Sequence, residues 1–255
     1  MHSPRSVAEI LTLVTTDPGR PRVTWYGDGG ERIELSGAVL ANWVSKTTNL
    51  LVEEFDAGPG VRVGVDLPAH WRTVVWALAA WRCGAGVVLG PGAGSADVVV
   101  TDRPGLHPGA DELVAVALPG LARRFDGELP AGAIDAAGAV MTYGDAIGWT
   151  PPVAPDAVAV EADQPPPGAA GSPSVVPHAA LVAWAEEGAG AVSGARVLLA
   201  AGTGRDGAVV VLLQGVLAAL AHAGSVVLVA DTVAAELAAD PARRARLVAS
   251  ERVSG

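Results

Sequence analysis

Lysine is almost missing from this 255-residue sequence: Lys46 is the single one, and the other basic residues are arginines. Any chemistry that needs a lysine ammonium must therefore use Lys46. Cysteine is as scarce. Cys83 cannot close an intrachain disulfide, and its place in an apolar helical pattern predicts a small buried thiol. The five histidines, His2, His70, His107, His178 and His222, show no metal-ligand spacing, so no zinc centre is expected. No Gly-x-Ser-x-Gly elbow occurs and Ser172 is followed by proline, which leaves Ser-His-Asp catalysis without support. Positive charge is outnumbered, with 17 Lys and Arg against 27 Asp and Glu, a formal net charge of -10 and a pI near 4.9. Such a field repels phosphate backbones, and nucleic acid is excluded as an expected partner.

The stretch from Met1 to Thr16 carries Glu9 among its apolar residues and lacks a small-residue cleavage site. It does not read as a secretory signal, and the cytoplasm is the expected compartment. The Arg and Ala enrichment fits the coding bias of a GC-rich, bacterial genome. Half of the residues are hydrophobic, enough for one large domain or two small ones with a real core.

Periodicity places the elements. From the N-cap Ser36, Leu40, Trp43, Val44, Thr47, Leu51 and Phe55 recur at three and four residue spacing, an amphipathic helix that Gly58-Pro59-Gly60 ends. Val61, Val63, Val65 and Leu67 then predict a strand, followed by a helix from about His70 to Cys83. Trp71, Trp76 and Trp81 stand five apart, which makes no single helical stripe, and core packing accounts for Trp76. Further strands are expected at 87–89, 98–101, 113–116, 158–160, 197–200 and 226–229. Near-continuous Val/Leu runs predict strands covered on both faces. The expected class is α/β: two lobes of largely parallel sheet flanked by helices.

Ala208 to Ala230 is uncharged and long enough to cross a bilayer. Gln214, His222 and the Gly224-Ser225 break divide it, however, and predict a buried helix, a glycine stop and a strand instead. No membrane partner is expected. Gly90 to Gly94 and Pro151 to Pro177 are expected loops. The second marks the boundary of the expected lobes, 1–150 and 178–255, joined by 151–177.

The order of these blocks carries a resemblance. Gly58-Pro59-Gly60-Val61-Arg62-Val63-Gly64-Val65, then Leu67-Pro68, then a helix ending in Gly84-Ala85-Gly86-Val87-Val88 resembles the start of the adenylate-forming superfamily. That superfamily comprises acyl-CoA synthetases, peptide-synthetase adenylation domains and luciferases. Val197 to Ala200, the following apolar helix and Gly224 to Leu228 resemble a later strand, helix, strand segment of the same proteins. Between them, Gly168 to His178 lies where the family carries its phosphate loop, "SGTTGxPKGVxxTH". The resemblance runs from residue 23 to 235 and implies the fold of the family's N-terminal region.

The departures from that pattern shape the expected function. Ala169 and Ala170 stand at the loop's Thr positions and Ser174 at its Lys position, so the hydroxyls and the cation that would contact ATP phosphates are gone. Gly168, Gly171, Ser172, Pro173, Ser174 and His178 form a candidate degenerate phosphate loop, whose backbone N–H groups leave weak ATP or AMP binding as the cofactor expectation. The resemblance also implies an adenine-binding strand, a magnesium glutamate, a ribose-binding aspartate and a lid lysine beyond Gly255. The expectation is thus a truncated relative without catalytic residues, since adenylyl transfer depends on positioning and charge.

A glycine-rich turn, Gly202 to Gly207, follows a strand and opens a helix, with its glycines out of register for a dinucleotide fingerprint. Thr203, Arg205 and Asp206 are its candidate pocket residues. The expected function is a non-catalytic binding or regulatory protein. Alternatives are an enzyme using another site on the same scaffold, or an interaction protein that self-associates or pairs with another chain.

Overall fold

A computed structural model of the chain describes residues 3–162, 175–189, 195–200, 202 and 206–254. Two sheets organise the described residues. The larger has seven strands: β3 (Arg62–Asp66), β4 (Gly86–Leu89), β5 (Val98–Thr101), β6 (Glu112–Ala115), β7 (Ile134–Asp135), β8 (Val158–Ala162) and β9 (Val175–Pro177). Their order is β7-β6-β5-β3-β4-β8-β9, parallel except for the last pair. The smaller sheet has the order β10-β11-β1-β2 and is built from β1 (Pro21–Tyr26), β2 (Arg32–Ser36), β10 (Arg196–Ala200) and β11 (Ser225–Val229). Only β1 and β2 pair antiparallel in it. The class is α/β with largely parallel sheets, as the Val/Leu runs predict.

Helices pack against the sheets and against one another. These are α1 (Val7–Thr15), α2 (Gly37–Phe55), α3 (Trp71–Cys83), the single turn α4 (Ala136–Ala139), α5 (Leu181–Ala189) and α6 (Asp206–Ala221). α3 packs on β3 and β4 of one sheet and β1 of the other, while α6 packs on β10, β11 and also β4. A helix covered on both sides must be apolar all round. Trp71, Trp76 and Trp81 are accordingly all buried although they form no stripe, and the Trp81 indole donates to Ala159 O at 2.6 Å. Burying each such side chain contributes about 1.5–3 kcal/mol. Cys83 is buried here too, and burial pushes its thiol up to about 11, so it is inert. Outside the smaller sheet lie α7 (Asp231–Ala239) and α8 (Pro241–Ser250), with Val233 and Leu237 packing on Val229.

Local signals hold where they are strong. Ser36 caps α2 through Val39 N, although the helix closes on the left-handed Asp56, before the Gly58-Pro59-Gly60 expected to end it. α6 stops at Ala221 and β11 follows, and among the described residues no helix is long and apolar enough to cross a membrane. Within the stretch 151–177, expected as loop apart from the strand at 158–160, that strand forms as β8 and residues 175–177 add β9 to the larger sheet. Strands β1 and β2, from the N-terminal end, share a sheet with β10 and β11 from the C-terminal end. Buried Arg22 on β1 makes that join polar as well as apolar: its guanidinium donates to Ala223 O and Gly224 O, beyond the end of α6.

Candidate functional site

Parallel α/β sheets bind ligands outside the carboxyl ends of their strands. Both sheets of this protein direct those ends at one cleft of about 510 Å³. Gly27 and Asp28 follow β1, Pro68 to His70 follow β3, Leu118 and Pro119 follow β6, Gly202 follows β10, and Ala230 to Thr232 follow β11. Small-molecule sites commonly occupy roughly 300–1,000 Å³.

The floor is aromatic. Trp25 on β1 is 5% exposed and His70 is 4% exposed, and their rings meet edge to face. The Trp25 indole N–H donates to Glu31 Oε2 at 3.0 Å, and Glu31 Oε1 accepts the Gly120 N–H at 2.7 Å. One carboxylate thus ties the hairpin between β1 and β2 to the segment that follows β6. The hairpin turns through Gly29 and Gly30, both at positive φ (63 and 82), a conformation glycine adopts without steric cost.

His70 is the N-cap of α3, where its Nδ1 accepts the Arg72 N–H at 3.1 Å. That acceptor role requires an unprotonated Nδ1, which puts the ring proton on Nε2. Burial, aided by the Arg72 charge, pushes the imidazole down to about 3, so it stays neutral. Arg72 lies behind the cleft, 4.4 Å over the Trp71 ring, and donates to the carbonyls of Leu118, Pro119 and Gly120. Burial lowers its guanidinium to about 10, against the pull of Glu31. It braces the wall that carries Leu118 and Pro119.

The lining also carries carboxylates. Thr232 donates its hydroxyl to Asp28 Oδ1, and Asp231, first residue of α7, has its carboxyl raised by burial. No lysine or arginine lines the cleft among the described residues.

Of the residues singled out by the sequence, Gly168, Gly171, Ser172, Pro173 and Ser174 lie outside the described residues, as do Thr203 and Arg205. Asp206 opens α6, its side chain also undescribed. Gly202, at the head of that turn, does rim the cleft. His178 does not. It starts a short helical turn before α5, buried, with Nε2 lacking a hydrogen-bond partner, beside a separate groove of about 300 Å³ that Trp81, Arg82 and Leu181 also line. Burial lowers its imidazole below the usual value, against hydrogen bonding to the backbone at Gly84 and Ala85.

Trp25, Glu31, His70 and Asp231 were not singled out. The one local signal was the position of His70, immediately after a parallel strand and before a helix. No group of three or more His, Cys, Asp or Glu able to hold a metal occurs among the described residues.

No protein-family model matches the chain. Among solved structures, acetoacetyl-CoA synthetase from Streptomyces lividans superposes with a TM-score of 0.63 at 16% identity, over 89% of this chain and 38% of that enzyme. A Brucella canis acyl-CoA synthetase superposes at 0.61 and 20% identity, over 88% and 46%, and VinN bound to L-aspartate at 0.59 and 18%, over 94% and 66%. The chain thus spans less than half the length of the first two. At these identities the likeness is one of fold, and that fold is the one found in adenylate-forming enzymes. A Mycobacterium tuberculosis protein described as a TIGR03089 family protein is 35% identical over 258 residues, covering 98% of this chain and 96% of that protein. Matched along nearly the whole of both sequences, the chain belongs to the TIGR03089 family.

Proposed function

We propose that this chain is a non-catalytic binding or regulatory protein, which keeps the adenylate-forming fold and uses the cleft between its sheets to hold a small ligand. The observation that carries the reading is the disposition of positive charge. Adenylyl transfer needs cations placed on the phosphates that move. Here the described lining of the cleft contains three carboxylates and no cation. Lys46 on α2 is engaged elsewhere, in an ion pair with Asp145 at 2.9 Å and a hydrogen bond to Tyr143 O. The buried cation nearest in sequence to the cleft residues, Arg72, is committed to backbone carbonyls. Such a lining does not suit a triphosphate, and its apolar floor suits a small organic molecule.

The test is ATP–pyrophosphate exchange by the purified protein, run with a panel of carboxylic acids and magnesium. Exchange at background level is expected. Saturable exchange that disappears when Gly171 is made bulky would overturn the reading.

A further inference from the structure

We propose that the cleft takes a ligand bearing a protonated amine at one end and a hydrogen-bond acceptor at the other, joined by a flat apolar body. The proposal rests on the reading of this cleft as the binding site, and it names the chemistry that the walls select.

The acceptor end follows from His70. The ring is more than nine-tenths buried, yet it lines the cleft. Its Nδ1 is held by the Arg72 N–H, and among the described residues its Nε2 has no partner and is not one of the sealed polar atoms of the core. A neutral imidazole fixed in this way presents one N–H to the cleft and no positive charge. It therefore suits a carbonyl or ether oxygen and offers little to a phosphate or carboxylate, which gains most from a charged donor.

The amine end follows from the carboxylates of the lining. Glu31 is occupied on both oxygens by Trp25 and Gly120. Asp28 accepts from Thr232 and keeps a second oxygen. Asp231, exposed at the start of α7 and lining the cleft, has no hydrogen bond or ion pair among the described residues, and partial burial raises its carboxyl. Two carboxylates lining one cleft without a cation between them among the described residues suit a cation brought by the ligand. Trp25 and Leu118, with prolines 68 and 119 around them, provide the apolar faces between the two ends. Aromatic rings also attract cations across their faces.

The test compares three probes that share one body: 4-(aminomethyl)benzamide, which is cationic, the neutral benzamide, and 4-carboxybenzamide, which is anionic. Binding is followed by NMR on the full chain, reading the Trp25 indole N–H and the His70 ring protons. The cationic probe is expected to bind in the millimolar range or tighter, roughly tenfold more tightly than the neutral one, and to weaken at high ionic strength. Asp231→Asn, at an exposed position without a partner among the described residues, is expected to remove most of that preference without changing the melting temperature. Asp28→Asn provides a second variant with the same expected direction. Binding of the anion with equal or higher affinity, through the same Trp25 and His70 signals, would overturn the amine and leave the cleft standing as a site. Absence of any shift with all three probes would remove the cleft itself, and the proposal with it.

Discussion

The Trp25 indole meets the His70 imidazole edge to face, with centroids 4.4 Å apart and planes inclined at 64°. This pair joins the last residues of a strand in one sheet to the N-cap of a helix leaving the other, so the floor of the cleft is also the contact between the sheets.

A buried neutral histidine makes stability depend on pH. The folded value of about 3 lies below the usual 6.5, so the unfolded chain takes up a proton that the folded chain refuses. Stability is nearly unaffected above about pH 6.5 and falls as the pH drops towards 3, by about 2 kcal/mol between pH 6.5 and 4.5. Urea denaturation at a series of pH values is expected to show this slope. His70→Asn, which keeps a side-chain acceptor for the Arg72 N–H, is expected to flatten it over that interval.

Arg72 is expected to resist conservative replacement. Its planar fork reaches three carbonyls while stacking on Trp71, a geometry lysine cannot reproduce. Arg72→Lys is expected to cost about 2 kcal/mol, since buried carbonyls lose their donors. Hydrogen exchange at Gly120 N–H should accelerate alongside, as the wall it belongs to loosens. Unchanged exchange with lowered stability would assign Arg72 to the core and not to the cleft.

Glu251 ties the C-terminal turn to the edge of the smaller sheet. It pairs with Arg196 at 2.5 Å and Arg32 at 2.9 Å and accepts the Tyr26 hydroxyl. Burial raises its carboxyl, but these hydrogen bonds outweigh it and hold the group below its usual 4.5. The stability it contributes is present above pH 4.5 and is lost as the pH falls through the lower folded value, a window below most of that of His70. Glu251→Gln leaves the half-buried Arg196 without its anion and is expected to cost about 2 kcal/mol at neutral pH. Thermal melts at pH 7 and pH 3 should differ less for the variant than for the parent.

Gly64 in the middle of β3 lies under the connection from β4 to β5. A Cβ built there would stand 1.9 Å from Ala93 O. Gly64→Ala is expected to destabilise the larger sheet by roughly 3 kcal/mol, read from the denaturation midpoint. The same change at Gly109, where a Cβ would meet nothing within 4 Å, is expected to be nearly silent.

What the sequence determined alone is local. The cap Ser36 and the periodicity behind it announce α2, the valines from 98 to 100 with Thr101 announce β5, and the glycine break at 224 separates α6 from β11, because capping, helical periodicity and β-branched crowding act within a few residues. The resemblance extended this to the fold through the order of such blocks. What only the tertiary structure decided is how distant parts meet. β1 carries Arg22 and Thr24 and reads as no buried strand, yet it is central in its sheet because Val23 pairs with Val226 and because the carbonyls of residues 223 and 224 accept from Arg22. α3 has no apolar stripe because two sheets cover it. The cleft draws Trp25, His70, Leu118 and Asp231 from four strand ends far apart in the chain, and no periodicity records which strand ends will converge. Strand pairing and convergence are non-local contacts, set by the burial of the whole core and not by any segment of it.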